Sequence, residues 1–132
     1  MSQTDNIPAD LRYSESHEWL MLQEDGSIRV GITDYAQDAL GDLVFVELPE
    51  EGATYAADSE CALVESVKSA SDLICPVSGE ITEVNHELED SPELINSVPY
   101  DGGWIFAIMP EDEGELDTLM DADGYKSFIE EE

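Results

Sequence analysis

Apolar residues in this chain come in short runs broken by turn residues, a spacing that suits strands better than long helices. In HEWLMLQEDGSIRVGIT, Trp19 and Met21, then Ile28, Val30 and Ile32, alternate with polar or smaller residues, and Asp25-Gly26 is a strong turn signal. The pattern predicts a hairpin. In TDYAQDALGD, Thr33 or Asp34 can cap a short helix, Ala36, Ala39 and Leu40 fall at helical spacing, and Gly41 can end it. LVFVELP predicts a continuous apolar strand stopped by Pro49. SECALVESV and SASDLICPV predict two strands on either side of Lys68, and SGEITEVNHEL another after a Ser-Gly turn. DSPELINSVPYDGG, with Pro92, Pro99 and two glycines, predicts a loop, and WIFAIMP the last strand. The tail predicts two short helices: Leu116, Leu119 and Met120 form one apolar stripe, and Tyr125, Phe128 and Ile129 a second, with Asp123-Gly124 interrupting or starting a helix.

Many short strands at close spacing predict a small, mainly β sandwich or barrel with the helical tail packed outside it. No linker, low-complexity segment or tandem repeat divides the 132 residues, so a single domain is expected over 1–132, with 1–10 poorly ordered. That length can bury a core without metal or disulfide staples.

Charge changes the picture. Against 33 Asp and Glu stand four basic residues, Arg12, Arg29, Lys68 and Lys126, for a formal net charge of -29. Self-repulsion on that scale opposes compaction in dilute salt, and molar salt, with a Debye length of about 3 Å, screens it. The acids are spread along the chain with a modest rise after Pro110, rather than gathered in blocks as a nucleic-acid mimic or decoy for a basic protein would require. The spread favours adaptation to a salt-rich cytoplasm. A thermal midpoint that falls from molar to millimolar salt is the expected outcome, and an unchanged midpoint contradicts it. Four cations cannot build a basic patch, so nucleic-acid binding is not expected. MSQTDNIPADLR has no basic or apolar signal region, and no apolar run reaches the roughly 20 residues of a membrane span. A soluble, cytoplasmic protein without a membrane partner is expected.

Candidate chemistry is sparse. His17 and His86 lie far apart and outside any triad or metal signature, so each reads as a surface or internally bonded histidine. No phosphate loop is present, and two cysteines 14 positions apart form no zinc set. With 33 carboxylates, any acid–base pair would be coincidence, so no enzyme is expected. Lys68 stands out. In a chain nearly stripped of lysine, it sits among Ser66, Ser69, Ala70 and Ser71, at the predicted tip of a hairpin. A Schiff-base lysine needs a buried site that lowers its pKa. An exposed amine between small neighbours suits a lysine modified by another protein.

ESVKSASD, from Glu65 to Asp72, resembles the lipoylation motif of the H protein of the glycine cleavage system. SHEW, GITDYAQDALGDLVFVELPE, PVSGEITEVN and SPELINSVPYDGGWIF resemble further segments of that family, in the family's order, from about Leu11 to the C-terminus. Biotinyl domains usually place methionines around their lysine, where Val67 and Ser69 stand here. Lipoyl domains of 2-oxo acid dehydrogenases usually have Asp before it, where this chain has Val67, as H proteins do.

The resemblance implies a barrel-sandwich hybrid of the lipoyl/biotinyl type with a short internal helix and C-terminal helices. It implies lipoate joined by an amide to Lys68, within a motif that includes Glu65, Ser66 and Val67. The implied function is a monomeric carrier that takes an aminomethyl group from glycine decarboxylase to aminomethyltransferase and reducing equivalents to dihydrolipoyl dehydrogenase, after modification by lipoylating enzymes. A lipoyl-relay protein of the same fold, donating its lipoyl group to other enzymes, is the alternative. Glu18 and Asp72 match family positions implicated in cradling the loaded arm, whose ammonium favours a carboxylate. Family members often carry histidine where this chain has Tyr35 or Ala39, so the arm must be seated without it or with Tyr35. Cys61 and Cys75, each seven residues from Lys68, are expected as free, partly buried thiols in a reducing cytosol.

Overall fold

The computed structural model describes residues 11–100, 102–111, 114 and 119–130. Nine strands and four helices occur among them in the order β1 (Arg12–Tyr13), β2 (Glu18–Leu22), β3 (Ile28–Ile32), α1 (Asp34–Leu40), β4 (Leu43–Glu47), β5 (Thr54–Tyr55), β6 (Glu60–Ser66), β7 (Ala70–Ile74), β8 (Gly79–Val84), α2 (Glu87–Asp90), α3 (Leu94–Ser97), β9 (Phe106–Pro110) and α4 (Ala122–Glu130). Two antiparallel sheets result, one in the order β1-β2-β3-β9-β8-β5 and one in the order β4-β6-β7. The mainly β architecture expected from the sequence is present, with the internal helix and a C-terminal helix.

The β2–β3 hairpin turns where Asp25 accepts hydrogen bonds from the Ser27 amide at 2.9 Å and the Ser27 hydroxyl at 2.6 Å. Its two strands are out of phase with a single apolar face. The register pairs Glu18 with Ile32, Leu20 with Val30 and Leu22 with Ile28. Successive side chains alternate faces, so Ile28, Val30 and Ile32 share a face with Glu18 and Leu20, not with Trp19 and Met21. That face meets the second sheet, and Leu20, Ile28, Val30 and Ile32 join Leu43, Val46, Val64, Leu73, Ile81 and Ile108 in the main core. Trp19 instead fills a second cluster with Leu11, Tyr13, Ala122, Tyr125 and Ile129. The indole lies against Gly31, its cross-strand partner, where a Cβ would stand 2.7 Å from the ring. Its N–H donates to the Pro99 carbonyl at 2.8 Å.

Helix α1 forms as its caps predict. The Thr33 hydroxyl accepts from the Ala36 amide, and Gly41, at φ 89°, donates its amide to the Gln37 carbonyl. Three expectations shift. β4 pairs only with β6 and is an edge strand, so Val44 and Phe45 of the predicted continuous apolar run are exposed beside a register shift. The predicted loop from Asp90 to Gly103 holds α3, while α2 precedes it, and Leu88 and Ile95 anchor these short turns in the core. Residues 1–10 and, in the tail, Leu116 lie outside the described residues. Met120 pairs with Tyr13 in an isolated β-bridge rather than a helix, and α4 begins at Ala122. Tyr13 and Tyr125 then stack at 4.8 Å between ring centroids, which fixes α4 on the outer face of the larger sheet.

Candidate functional site

Strands β6 and β7 form a hairpin whose turn spans 66–69. Ser66 holds it closed: its amide donates to the Ser69 carbonyl at 2.7 Å, and its hydroxyl oxygen accepts from the amides of Lys68 at 3.3 Å and Ser69 at 3.0 Å. The Val67 amide donates to the Asp42 carbonyl at 3.0 Å, tying the turn to the end of α1. Ser66 is buried, whereas Val67, Lys68 and Ser69 are exposed and Glu65 is half-buried. The Lys68 stem lies over Gly41: a Cβ there would stand 3.1 Å from Lys68 Cε and 3.8 Å from Nζ. Arg12 and Arg29 belong to the larger sheet and Lys126 to α4, so Lys68 is the one cation that the sequence gives the smaller sheet.

From that point α1 runs along a cleft of about 320 Å³, to which it contributes Tyr35, Ala36 and Ala39. His17, Glu18 and Asp72 line the same cleft, so the two carboxylates singled out from the sequence share one hollow. They differ in kind. Asp72 is exposed on β7, at the rim. Glu18 is 2% exposed. Its carboxylate accepts from the Ser14 hydroxyl at 2.9 Å and from the Ile74 amide at 3.0 Å, so it stitches β2 to β7 across the two sheets. Burial pushes the Glu18 pKa up to about 7, with the Ser14 and Ile74 hydrogen bonds opposing the rise. Glu18 also borders a second hollow of about 570 Å³ between Tyr13, Asp58 and Ile74.

His17 closes the cleft beside Tyr35, with ring centroids 4.9 Å apart. Its backbone sits at φ 68°, a region costly for most side chains but one that histidine visits more often. Nothing in the local sequence marked this residue for the cleft beyond its place in SHEW, and the long-range contacts that place it there come from α1 and α4. His86 is exposed, with its ring 3.2 Å from Glu89.

Cys61 and Cys75 are free thiols, both buried. The hydrogen bond with Cys75 and then burial push the Cys61 thiol pKa up, which keeps it protonated and unreactive. Cys75 donates to the Val77 carbonyl at 3.1 Å. Among the described residues, no group of three His, Cys, Asp or Glu could hold a metal ion, and no helix is long and apolar enough to cross a membrane.

Comparison with known proteins adds an independent line. The family model described as glycine cleavage H-protein matches residues 11–132. The chain is 58% identical over 127 residues to the glycine cleavage system H protein of Shewanella baltica, covering 96% of this chain and 98% of the relative. It is 59% identical, with the same coverage, to the Escherichia coli protein of that name. The crystal structure of a glycine cleavage system H protein from Mycobacterium marinum superposes with a TM-score of 0.84 at 44% identity, covering 92% of this chain and 97% of that one. The chain belongs to the glycine cleavage H-protein family.

Proposed function

We propose that this protein carries lipoate on Lys68 and that the cleft beside Glu18 holds the arm when it is loaded. The lipoyl-carrier role itself follows from the family. The observation that supports the placement is the course of α1: Lys68 rests on Gly41 at one end of the helix, and Tyr35, Ala36 and Ala39 line the cleft toward Glu18. An exposed primary amine on a turn of small residues fits an acyl group, and no Cβ at Gly41 crowds the stem. When attached, the group supplies a disulfide that takes up a one-carbon amine and two electrons from glycine.

The chain's own residues supply attachment, orientation and shelter. Ser66 fixes the turn so that the Lys68 amine stays outside the sheet. Helix α1 and β7 exclude bulk water from the two sides of the cleft. Glu18 offers a carboxyl at its floor that is close to half ionised near neutrality. A cationic cargo beside it would draw that carboxyl toward its ionised form, releasing up to about half a proton near neutrality as the arm seats. Asp72 adds an exposed carboxylate at the rim. Such a protein moves a group between other enzymes rather than catalysing, and a tethered arm raises the local concentration of its cargo at each. The partners are glycine decarboxylase, aminomethyltransferase, dihydrolipoyl dehydrogenase and the lipoylating enzymes, met by a monomer in the cytoplasm.

Intact-mass analysis of protein from its native host tests the attachment: a lipoyl-sized increment that vanishes in Lys68→Ala is expected, and an unmodified native protein contradicts it. Glycine-dependent carbon dioxide exchange with the cognate decarboxylase tests glycine cleavage, and no exchange with lipoylated protein would favour the lipoyl relay.

A further inference from the structure

One hydroxyl group touches His17, a cleft residue, and Thr33, which caps the helix that lines the cleft. Tyr125, on the buried face of α4, lies 2.8 Å from His17 Nδ1 and 2.7 Å from the Thr33 hydroxyl. Thr33 is fully buried and caps α1 by accepting from the Ala36 amide at 3.2 Å. Tyr35 and Ala36 are cleft residues on α1, and His17 is a cleft residue just before β2, its ring 4.9 Å from that of Tyr35. The donors line up in one direction when Ala36 N–H donates to Thr33, Thr33 O–H to Tyr125 and Tyr125 O–H to His17. The His17 backbone is anchored as well. Its amide donates to the Ser14 carbonyl at 3.1 Å, and its carbonyl accepts from the Thr33 amide at 3.0 Å. These bonds hold a left-handed residue immediately before Glu18. The rings of Tyr125 and Phe128 pack against His17 from α4, each 5.8 Å away.

Resting on the reading that the loaded arm lies in this cleft, we propose that Tyr125 is a positioning residue: its hydroxyl, shared by His17 and Thr33, sets how closely His17 and the start of α1 hold the arm. The C-terminal helix thereby acts on a site that it does not line. The packing explains why a tyrosine is useful here. The ring alone would serve the stack on Tyr13, whereas the hydroxyl reaches two residues, one just before β2 and one capping α1.

Tyr125→Phe keeps the stacked ring and removes only that oxygen. In the unlipoylated protein, hydrogen exchange of the Ala36 amide is expected to speed up about fivefold, the factor that one net hydrogen bond carries, with the β6–β7 amides unchanged. Unchanged Ala36 exchange overturns the route through Thr33. In protein verified as fully lipoylated and loaded by glycine with the decarboxylase, then freed of partners, the hydrolytic lifetime of the loaded arm is expected to fall by a similar factor. Ammonia release reports it, with loaded free lipoamide as the unprotected reference. His17→Asn, which tolerates the same backbone region but has a shorter side chain, should shorten the lifetime too, and the double variant should be no worse than the more affected single. A protected wild type with an equally protected Tyr125→Phe variant overturns the inference and leaves arm docking standing. A wild type as labile as free lipoamide overturns arm docking, and this inference with it.

Discussion

The hairpin tip and the cleft floor put their key residues in opposite surroundings. At the tip, Lys68 is exposed, and its local structure rests on one buried serine and four backbone or hydroxyl hydrogen bonds within the turn. At the floor, Glu18 is 2% exposed and depends on a residue 56 positions away for one of its hydrogen bonds. The tip can change its chemistry with little effect on the fold, because its side chain packs against little. The floor cannot, because its ionisation is coupled to the packing of two sheets. Reactivity and stability are therefore separated in space, an arrangement that suits a carrier whose modified residue must visit other proteins.

Substitutions can break this contrast. The largest effect is all-or-none: Lys68→Arg should abolish lipoylation by intact mass, since a guanidinium offers no equivalent amine, while urea stability stays within about 0.5 kcal/mol. A large stability loss would show that the tip is not independent of the core.

Next comes the pH dependence of the floor. A carboxyl whose folded pKa of about 7 lies above its ordinary 4.5 binds more protons in the native state between those values. Stability from this group is therefore complete below pH 4.5 and declines until pH 7, by about 3 kcal/mol at 1.36 kcal/mol per unit. Urea denaturation of wild type and Glu18→Gln at pH 5 and pH 8 isolates it from the general repulsion of a -29 chain. The wild type should lose more stability than the variant as pH rises, and parallel losses would place Glu18 in solvent.

Gly41→Ala joins the two regions. At φ 89° and ψ -166°, a side chain is strained by about 1–3 kcal/mol, and its Cβ would also press on Lys68 Cε. A lower thermal midpoint with slower lipoylation is expected, and an unaltered lipoylation rate would show that the stem does not need its bed on α1. The smallest effect belongs to Asp72→Asn, exposed at the rim, whose stability should stay within about 0.5 kcal/mol. A larger change would make the rim part of the floor.

What the sequence made legible follows the same division. The Lys68 turn, the caps of α1 at Thr33 and Gly41, and the Asp25-Gly26 hairpin are local, and local residue chemistry specifies them. The burial of Glu18 was not legible, because one acid among 33 reveals nothing of an Ile74 amide that meets it only after the sheets close. Which face Trp19 takes was not legible, because the outer face of the larger sheet is itself buried by α4. Val44 and Phe45 looked like core because an edge strand and a central strand can share one apolar pattern. Tyr125 carried a signal only as an apolar-stripe residue, and its hydroxyl found its partners through tertiary packing.

The isolated cation at the tip has a consequence for turnover of the modifying enzyme. Under the proposed attachment, amide formation at Lys68 would erase the one cation that the sequence gives the smaller sheet and leave the protein one unit more negative than -29. Substrate and product of the proposed lipoylating enzyme would thus differ by one positive charge where they touch it. An enzyme surface that attracts the free ammonium would lose that attraction once acylation is complete, so the charge that would recruit the unmodified protein would also favour release of the finished one.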